Sequence, residues 1–345
     1  MMILGIDTSC DDTSAAVVAN GRGVVSSVIN SQIRLHHPYG GVVPELASRE
    51  HVRNIVPVVQ KAMDEAAVSW TDLDGIAVTL GPGLIGSLLV GLHYARGLAW
   101  ARGVPLVGVN HLEGHILSIL LEDEPPPFPF VTLTVSGGHT SLYLVEQPGV
   151  YRSLGQTLDD AAGEAFDKVA KILGLGYPGG VIIESLAASG RADGVPFPRA
   201  MLSPGSLDFS FSGLKTAVSL YVQRWSQSSE EQARVRTEDI AASFQEAVID
   251  VLAAKLFQAA EESHVDVVGI AGGVACNQAL RERIRQEAES RGMHAFWPRP
   301  AYCTDNGAMI AEAGRLRMLN GERADLDTDV RSRYPVEDLQ PIADS

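Results

Sequence analysis

Twice in this chain a short apolar run ends in a small polar turn and a second apolar run follows at once, and this duplication constrains the fold more than any other feature. The first copy is Met2 to Asp7, then Thr8 to Ser14, then Ala15 to Ala19; the second is Phe130 to Val135, then Ser136-Gly137-Gly138-His139-Thr140, then Ser141 to Val145. Short apolar runs bounded by turn residues read as buried strands. Each copy therefore predicts strand, turn and strand, with hydroxyls, acids or glycines at the turn. Such a turn suits a phosphate with its metal, because its amides and acids converge where little water competes. A plain hairpin with a polar turn satisfies the first copy equally. The duplication predicts an α/β chain of two related lobes, and no repeat of short period points to a solenoid.

The stretch 122–129, Glu-Asp-Glu-Pro-Pro-Pro-Phe-Pro, is stiff and helix-breaking and marks a boundary. Three segments follow: an N-terminal lobe over 1–122, a C-terminal lobe over 123–320 and an irregular tail over 321–345. Within the first lobe, 24–30 reads as a strand, 31–48 as a loop and 49–67 as an amphipathic helix. Leu73 to Thr79 is a strand feeding Gly81-Pro82-Gly83 and a small-residue helix to about Arg102, and Val104 to Val109 is a further strand. In the second lobe, Asp159 or Asp160 is placed to cap a helix carrying Asp167. Tyr177-Pro178-Gly179-Gly180 leads into a helix with Glu184, and Leu207 to Thr216 alternates like a strand before turning into a helix. Residues 225–237 read as an exposed linker and 238–262 as two helices. Val265 to Ala271 is a buried strand, after which Gly272-Gly273 and Asn277 can lie against a flat ligand or phosphate. A strand over 293–297 and a turn over 298–307 precede a helix to about 319.

His111-Leu112-Glu113-Gly114-His115 follows the strand Val104 to Val109. If these residues are helical, both imidazoles fall on one face a turn apart, the spacing at which they can share a divalent metal. A polar helix face fits the same spacing. Two ligands leave such a metal short of partners, and Asp305 in Cys303-Thr304-Asp305-Asn306-Gly307 is the distant carboxylate chosen here. Metalloprotease patterns need Glu at 112 or 114, and the acid stands at 113. His36 and His37, in the predicted loop, are either ligands or merely exposed.

The balance of 27 Lys+Arg against 42 Asp+Glu gives a net charge of -15, which repels nucleic acid over most of the surface. RNA contact must then be local, through patches such as Arg281, Arg283 and Arg285 or Lys168 and Lys171, or come from a partner. Cys10, Cys276 and Cys303 are too few and too widely spaced for a disulfide framework. The chain opens on a strand-like run without a signal-peptide pattern, and His93, Arg96 and Arg102 interrupt its most apolar window. A soluble cytoplasmic protein without a membrane span is expected.

Taken together, these stretches closely resemble the bacterial tRNA N6-adenosine threonylcarbamoyltransferase family, once labelled glycoproteases. The likeness rests on Leu4 to Thr13, Tyr39 to Arg49, His111 to His115, Ser136 to Thr140, Asp159 to Lys168, Phe209 to Thr216, Ala271 to Val274 and Cys303 to Ala311, in order over nearly the whole chain. The resemblance implies two ribonuclease-H-like lobes of the actin/Hsp70/sugar-kinase type with a cleft between them. It implies one divalent metal, Fe(2+) or Zn(2+), on His111, His115 and Asp305. It also implies an adenylate substrate against Thr134, Val135, Ser136, Gly137, Gly138, Asp167, Gly180, Glu184 and Asn277.

The implied reaction moves an L-threonylcarbamoyl group from threonylcarbamoyl-AMP to N6 of adenosine 37 in tRNAs reading codons that begin with A. Asp11 or Asp12 is then the candidate proton acceptor. Implied partners are a smaller paralogous subunit, as a heterodimer, and a P-loop ATPase subunit. Asp7 and Asp12 stand where relatives often carry glutamate. Two other classes stay open: a metal-dependent glycoprotein endopeptidase and a nucleotide-gated binding protein without transferase activity.

Overall fold

A computed structural model describes residues 1–200, 205–325 and 327–342. The chain forms two units, one of Met1–Phe128, Glu146–Tyr151 and Pro298–Ser345, the other of Pro129–Val145 and Arg152–Trp297. Each holds one five-stranded sheet. In the first, β1 (Met2–Asp7) pairs antiparallel with β2 (Asp12–Ala19), which pairs antiparallel with β3 (Gly23–Ser31). On the other side of β1, β4 (Gly75–Gly81) and then β5 (Leu106–Asn110) run parallel. In the second, β6 (Phe130–Val135) lies between β7 (Thr140–Gln147) and β9 (Val267–Ala271), with β8 (Val150–Gln156) and β10 (His294–Phe296) at the edges. Counted along the chain, both sheets have the order third, second, first, fourth, fifth. The duplicated strand–turn–strand read from the sequence is thus the β1–β2 and β6–β7 pairs, in register from Asp7 opposite Ser14 and from Val135 opposite Thr140.

The division is not sequential, and residues 298–320, expected in the C-terminal lobe, belong to the first unit. Small residues explain why. A Cβ on Gly5 would stand 2.2 Å from the carbonyl oxygen of Gly307, and one on Gly314 would meet the Ala77 Cβ at 2.3 Å. These glycines let the helix Gly307–Leu319 press its backbone onto β1 and β4. Among the tail's described residues the helical piece is one turn, Val336–Asp338. The tail is nonetheless docked, with the Ala324 amide donating to the Leu106 carbonyl at 2.7 Å and the Arg331 amide to the Leu80 carbonyl at 2.8 Å.

Other elements differ from the sequence reading. The helix read from residue 49 starts at Pro44, since proline at a first helical position costs no amide bond. Part of the expected 31–48 loop is therefore its first turn. The region 238–262 is one helix, Thr237–Glu262, because it holds no glycine or proline and is apolar nearly all round. The expected linker contains a turn-and-a-half helix, Ser229–Arg234, capped by Ser228. The alternating run from Leu207 contributes a single bridge, Phe209 with Thr157. Among the described residues no helix is long and apolar enough to cross a membrane.

Candidate functional site

The histidines are set by a helix cap. β5 ends at Asn110, whose Oδ1 accepts from the amides of Leu112 at 2.9 Å and Glu113 at 3.3 Å, so the helix His111–Leu117 begins where the strand stops. His111 and His115 then lie one turn apart, ring centroids 4.7 Å from each other and nearly perpendicular. Asp305 directly precedes Asn306, the cap of the helix Gly307–Leu319, whose Oδ1 accepts from the Met309 amide at 2.9 Å. These two caps bring three side chains from distant parts of the chain together. Asp305 Oδ1 is 3.1 Å from His115 Nε2 and 3.4 Å from His111 Nε2, and one donor atom from each residue lies within 4.8 Å of the others.

The chemistry of this set fits a divalent ion. Two imidazoles and one carboxylate form a three-donor array that leaves positions open for substrate, the pattern of iron and zinc centres that do chemistry. His115 Nδ1 is buried without a hydrogen-bond partner. Without a metal, burial opposes a charge on His111, but Asp305 and then Asp7, at 3.6 Å from its Nδ1, push the ring up to about 10. Burial likewise works against ionised Asp305, and His111 and His115 overcome it, holding the carboxyl well below the usual range. A proton on His111 thus does electrostatically what a cation would do, and the two compete. Glu113, the acid of the motif, is bound to Arg317 and Tyr151 and does not stand as the base a peptidase would need.

Next to this array the β1–β2 turn collects acids. Asp7 accepts from Thr79 Oγ1 at 2.6 Å and Ser9 Oγ at 3.0 Å. Burial pushes Asp12 up to about 7, with Asp305 and Asp11 adding to it against a Ser31 hydrogen bond, and Asp12 Oδ1 is buried without a partner. Asp11 is also raised by burial. A carboxyl poised near neutrality is suited to take a proton. Burial and Asp11 push the Cys10 thiol well up, which makes it unreactive.

His36, read as a possible ligand, is a buried strut. Its Nε2 meets Gln32 Oε1 at 3.2 Å and its Nδ1 accepts from the Val43 amide at 3.2 Å. His37 is exposed. His51, which sequence reasoning passed over, ties the turn down, with Nδ1 2.8 Å from Thr13 Oγ1 and Nε2 2.9 Å from the Cys10 carbonyl. Its signal was a lone histidine on the buried side of an amphipathic helix.

In the second unit, Thr134 and Val135 end β6 and Ser136 opens the turn. The Ser136 amide donates to the His139 carbonyl at 2.8 Å, so this group closes the turn, while Gly137 and Gly138 have open space where side chains would stand. Two glycines let the turn sit where it does: a Cβ on Gly272, at φ +92°, would meet the Val135 carbonyl at 2.4 Å, and one on Gly163 the Ser136 carbonyl at 2.5 Å. Thr134 Oγ1 is buried without a partner.

Asp167 Oδ1 accepts from the Gly179 amide at 2.7 Å and thereby fixes the helix that presents Gly180, beside which there is open space. Glu184 Oε1 accepts from the Gln278 amide at 2.7 Å. Asn277, read from the sequence as a ligand contact, has both side-chain polar atoms engaged within the protein. Its Oδ1 caps the helix Gln278–Arg291 through the Leu280 amide, and its Nδ2 donates to Gln245.

Asp159 does not cap the helix it precedes, which starts at Ala162. Its Oδ1 instead accepts from the amides of Phe211 and Ser212, at the start of Ser212–Trp225. The suggested basic patches are largely neutralised, Arg283 by Glu246 and Asp250, Arg285 by Glu282 and Glu289, and Lys168 by Asp160 and Glu164.

The strand order shared by the two sheets is that of an α/β fold of the actin/Hsp70/sugar-kinase type. A solved structure of HypF in its phosphate- and nucleotide-bound form shares this fold, with a TM-score of 0.60 at 13% identity over 92% of this chain and 55% of that one. So does component A of the (R)-2-hydroxyglutaryl-CoA dehydratase of Acidaminococcus fermentans, at 0.54, 15% identity, 91% of this chain and 99% of that one. The chain belongs to the tRNA N6-adenosine threonylcarbamoyltransferase family, whose model matches residues 23–312. Proteins of that name are 54% identical over 333 residues in Desulforapulum autotrophicum, spanning 96% of this chain and 99% of the relative, and 51% identical over 337 residues in Syntrophotalea carbinolica, spanning 98% and 97%.

Proposed function

We propose that this chain transfers the L-threonylcarbamoyl group of threonylcarbamoyl-AMP to N6 of adenosine 37 in tRNA. The observation that carries the chemical part of this reading is the convergence of His111, His115 and Asp305 beside the acids of the β1–β2 turn. In the proposed step the exocyclic amine attacks the carbamoyl carbon, the bond from that carbon to the phosphate oxygen breaks, and AMP leaves. Asp12, or Asp11 beside it, accepts the amine proton at its carboxylate. The turn at Ser136, Gly137 and Gly138 receives the leaving phosphate. Thr134 and Val135 bring that turn into place, and Asp167, Gly180, Glu184 and Asn277 shape the adenosine side. A divalent ion, Fe(2+) or Zn(2+), when bound at His111, His115 and Asp305, supplies Lewis-acid polarisation and orients the oxygens of the acyl group.

A chain of net charge -15, with Arg283, Arg285 and Lys168 of its basic clusters paired to acids, holds a polyanion weakly by itself. We therefore include basic partner surfaces in the reading: a smaller paralogous subunit and a P-loop ATPase subunit. The test is nucleoside mass spectrometry after incubating the chain, threonylcarbamoyl-AMP and tRNA, with and without those partners. Modified adenosine is the expected product, lost in His111→Ala; none in any mixture sinks the reading.

A further inference from the structure

The helix His111–Leu117 carries a third ionisable side chain, which the proposed transfer does not use. Glu113 lies two residues from each histidine, hence on the opposite helix face, and is fully buried. Its Oε1 accepts from Tyr151 Oη at 2.8 Å and from Arg317 Nη2 at 2.7 Å, and its Oε2 accepts from Arg317 Nε at 2.5 Å. Arg317 is buried too, and its Nη1 donates to both carboxylate oxygens of Glu322, at 2.8 and 2.9 Å.

Arg317 stands in the last turn of the helix Gly307–Leu319, whose cap directly follows Asp305. One rigid rod therefore has the carboxylate of the metal array at its start and, about 15 Å further along, a guanidinium that grips the helix bearing both histidines. Between these points the rods touch closely: a Cβ on Gly114 would meet Ile310 Cδ1 at 3.0 Å and Met309 Cγ at 3.2 Å.

We propose that the Glu113–Arg317 pair is a positioning device for the metal centre, fixing the tilt and register of the histidine helix against the helix that Asp305 leads. The inference rests on the metal reading above. A buried ion pair is a poor choice for stability alone, because apolar residues of similar size often hold a fold as well. A planar two-point contact supplies something else: it fixes orientation as well as distance. A metal array needs that, since ligand sets tolerate displacements of only about half an ångström.

The test is the double substitution Glu113→Leu with Arg317→Met in the full chain, which removes both charges and keeps volume, measured by thermal melting and by titration with Co2+ alone. The double variant is expected to stay cooperatively folded, melting lower because the buried Tyr151 hydroxyl loses its acceptor and Glu322 its partner, yet to bind Co2+ about ten- to a hundredfold more weakly and with an altered visible spectrum. Wild-type affinity and spectrum in the folded double variant would overturn the proposal. Should that variant not fold, Arg317→Lys keeps the charge and loses the fork, and about tenfold weaker Co2+ binding is expected; unchanged affinity and spectrum overturn the proposal there as well. His111→Ala separates the two levels. If it binds Co2+ like wild type, the metal reading itself fails and takes this inference with it.

Discussion

Asn110 donates its side-chain amide to the Tyr334 carbonyl at 2.7 Å, while its other side-chain atom, Oδ1, caps the helix of the two histidines. One residue thus joins the end of β5, the start of the helix of the two histidines and the tail 224 positions away. Asn110→Ala should lose both, costing about 1–2 kcal/mol in urea denaturation. Asn110→Ser should recover most of the cap contribution but not the tie to the tail, which limited proteolysis near residue 334 would report.

The three-donor array predicts a pH-dependent metal affinity. His111 is raised from its ordinary 6.5 to about 10, so in the metal-free protein its contribution to stability is fully present below about pH 6.5 and is lost as pH rises toward 10. A bound divalent ion must displace that proton, so Zn2+ affinity should climb over the same interval, by up to about tenfold per pH unit. Isothermal titration at pH 6.5 and 8.5 in buffers of different ionisation enthalpy checks both the slope and the proton released.

Asp12 titrates in the other chemical sense with the same linkage sign. Its carboxyl, raised from 3.8 to about 7, costs the native state nothing below about pH 4 and progressively more as pH climbs through 7. Asp12→Asn should therefore leave stability unchanged at pH 4 and add on the order of 2 kcal/mol at pH 8 in the metal-free protein. The same variant should lower turnover about a hundredfold if this carboxylate takes the amine proton. Stability and turnover moving in opposite directions is the expected signature.

Close backbone packing makes Gly5 a sensitive position. Gly5→Ala places a methyl 2.2 Å from the Gly307 carbonyl oxygen and 2.4 Å from the Ala311 amide nitrogen, neither of which can move aside cheaply. Its cost should exceed about 3 kcal/mol, near the upper end for single substitutions. Because that helix is led by Asp305, divalent-ion binding should fall with it, whereas Gly97→Ala, with open space around it inside the helix Ile85–Arg102, should leave ion binding unchanged and add roughly 0.5–1 kcal/mol of stability.

At Asp159 the expected loss is smaller. Its carboxylate is held down to about 2 by Ser210, Ser212 and the amides of Phe211 and Ser212, more than offsetting the slight burial. Stability from this contact is present above about pH 3.8 and is lost as pH falls through 2. Asp159→Ala should cost about 1 kcal/mol at pH 7 and progressively less as pH falls toward and below 2, in chemical denaturation of the whole chain.

The sequence by itself determined the paired architecture and pointed to His111, His115 and Asp305, the cluster that could hold a metal. Strand period and turn chemistry are local properties, so Met2 to Ala19 and Phe130 to Val145 announced two strand–turn–strand units, and the spacing of His111 and His115 put both rings on one helix face. Local pattern misled where a residue's partner was distant. Asp159, which with Asp160 was a candidate to cap the helix it precedes, instead binds amides fifty residues on; Asn277 holds Gln245 as well as capping its own helix; Arg283 and Arg285 looked like a basic patch and are paired with acids. Only the tertiary structure decided those, along with the return of 298–320 to the first unit and the Glu113–Arg317 grip. Each depends on two groups far apart in the chain becoming neighbours, and which acceptor a buried donor finds is settled by packing, long after local propensity has chosen helix or strand.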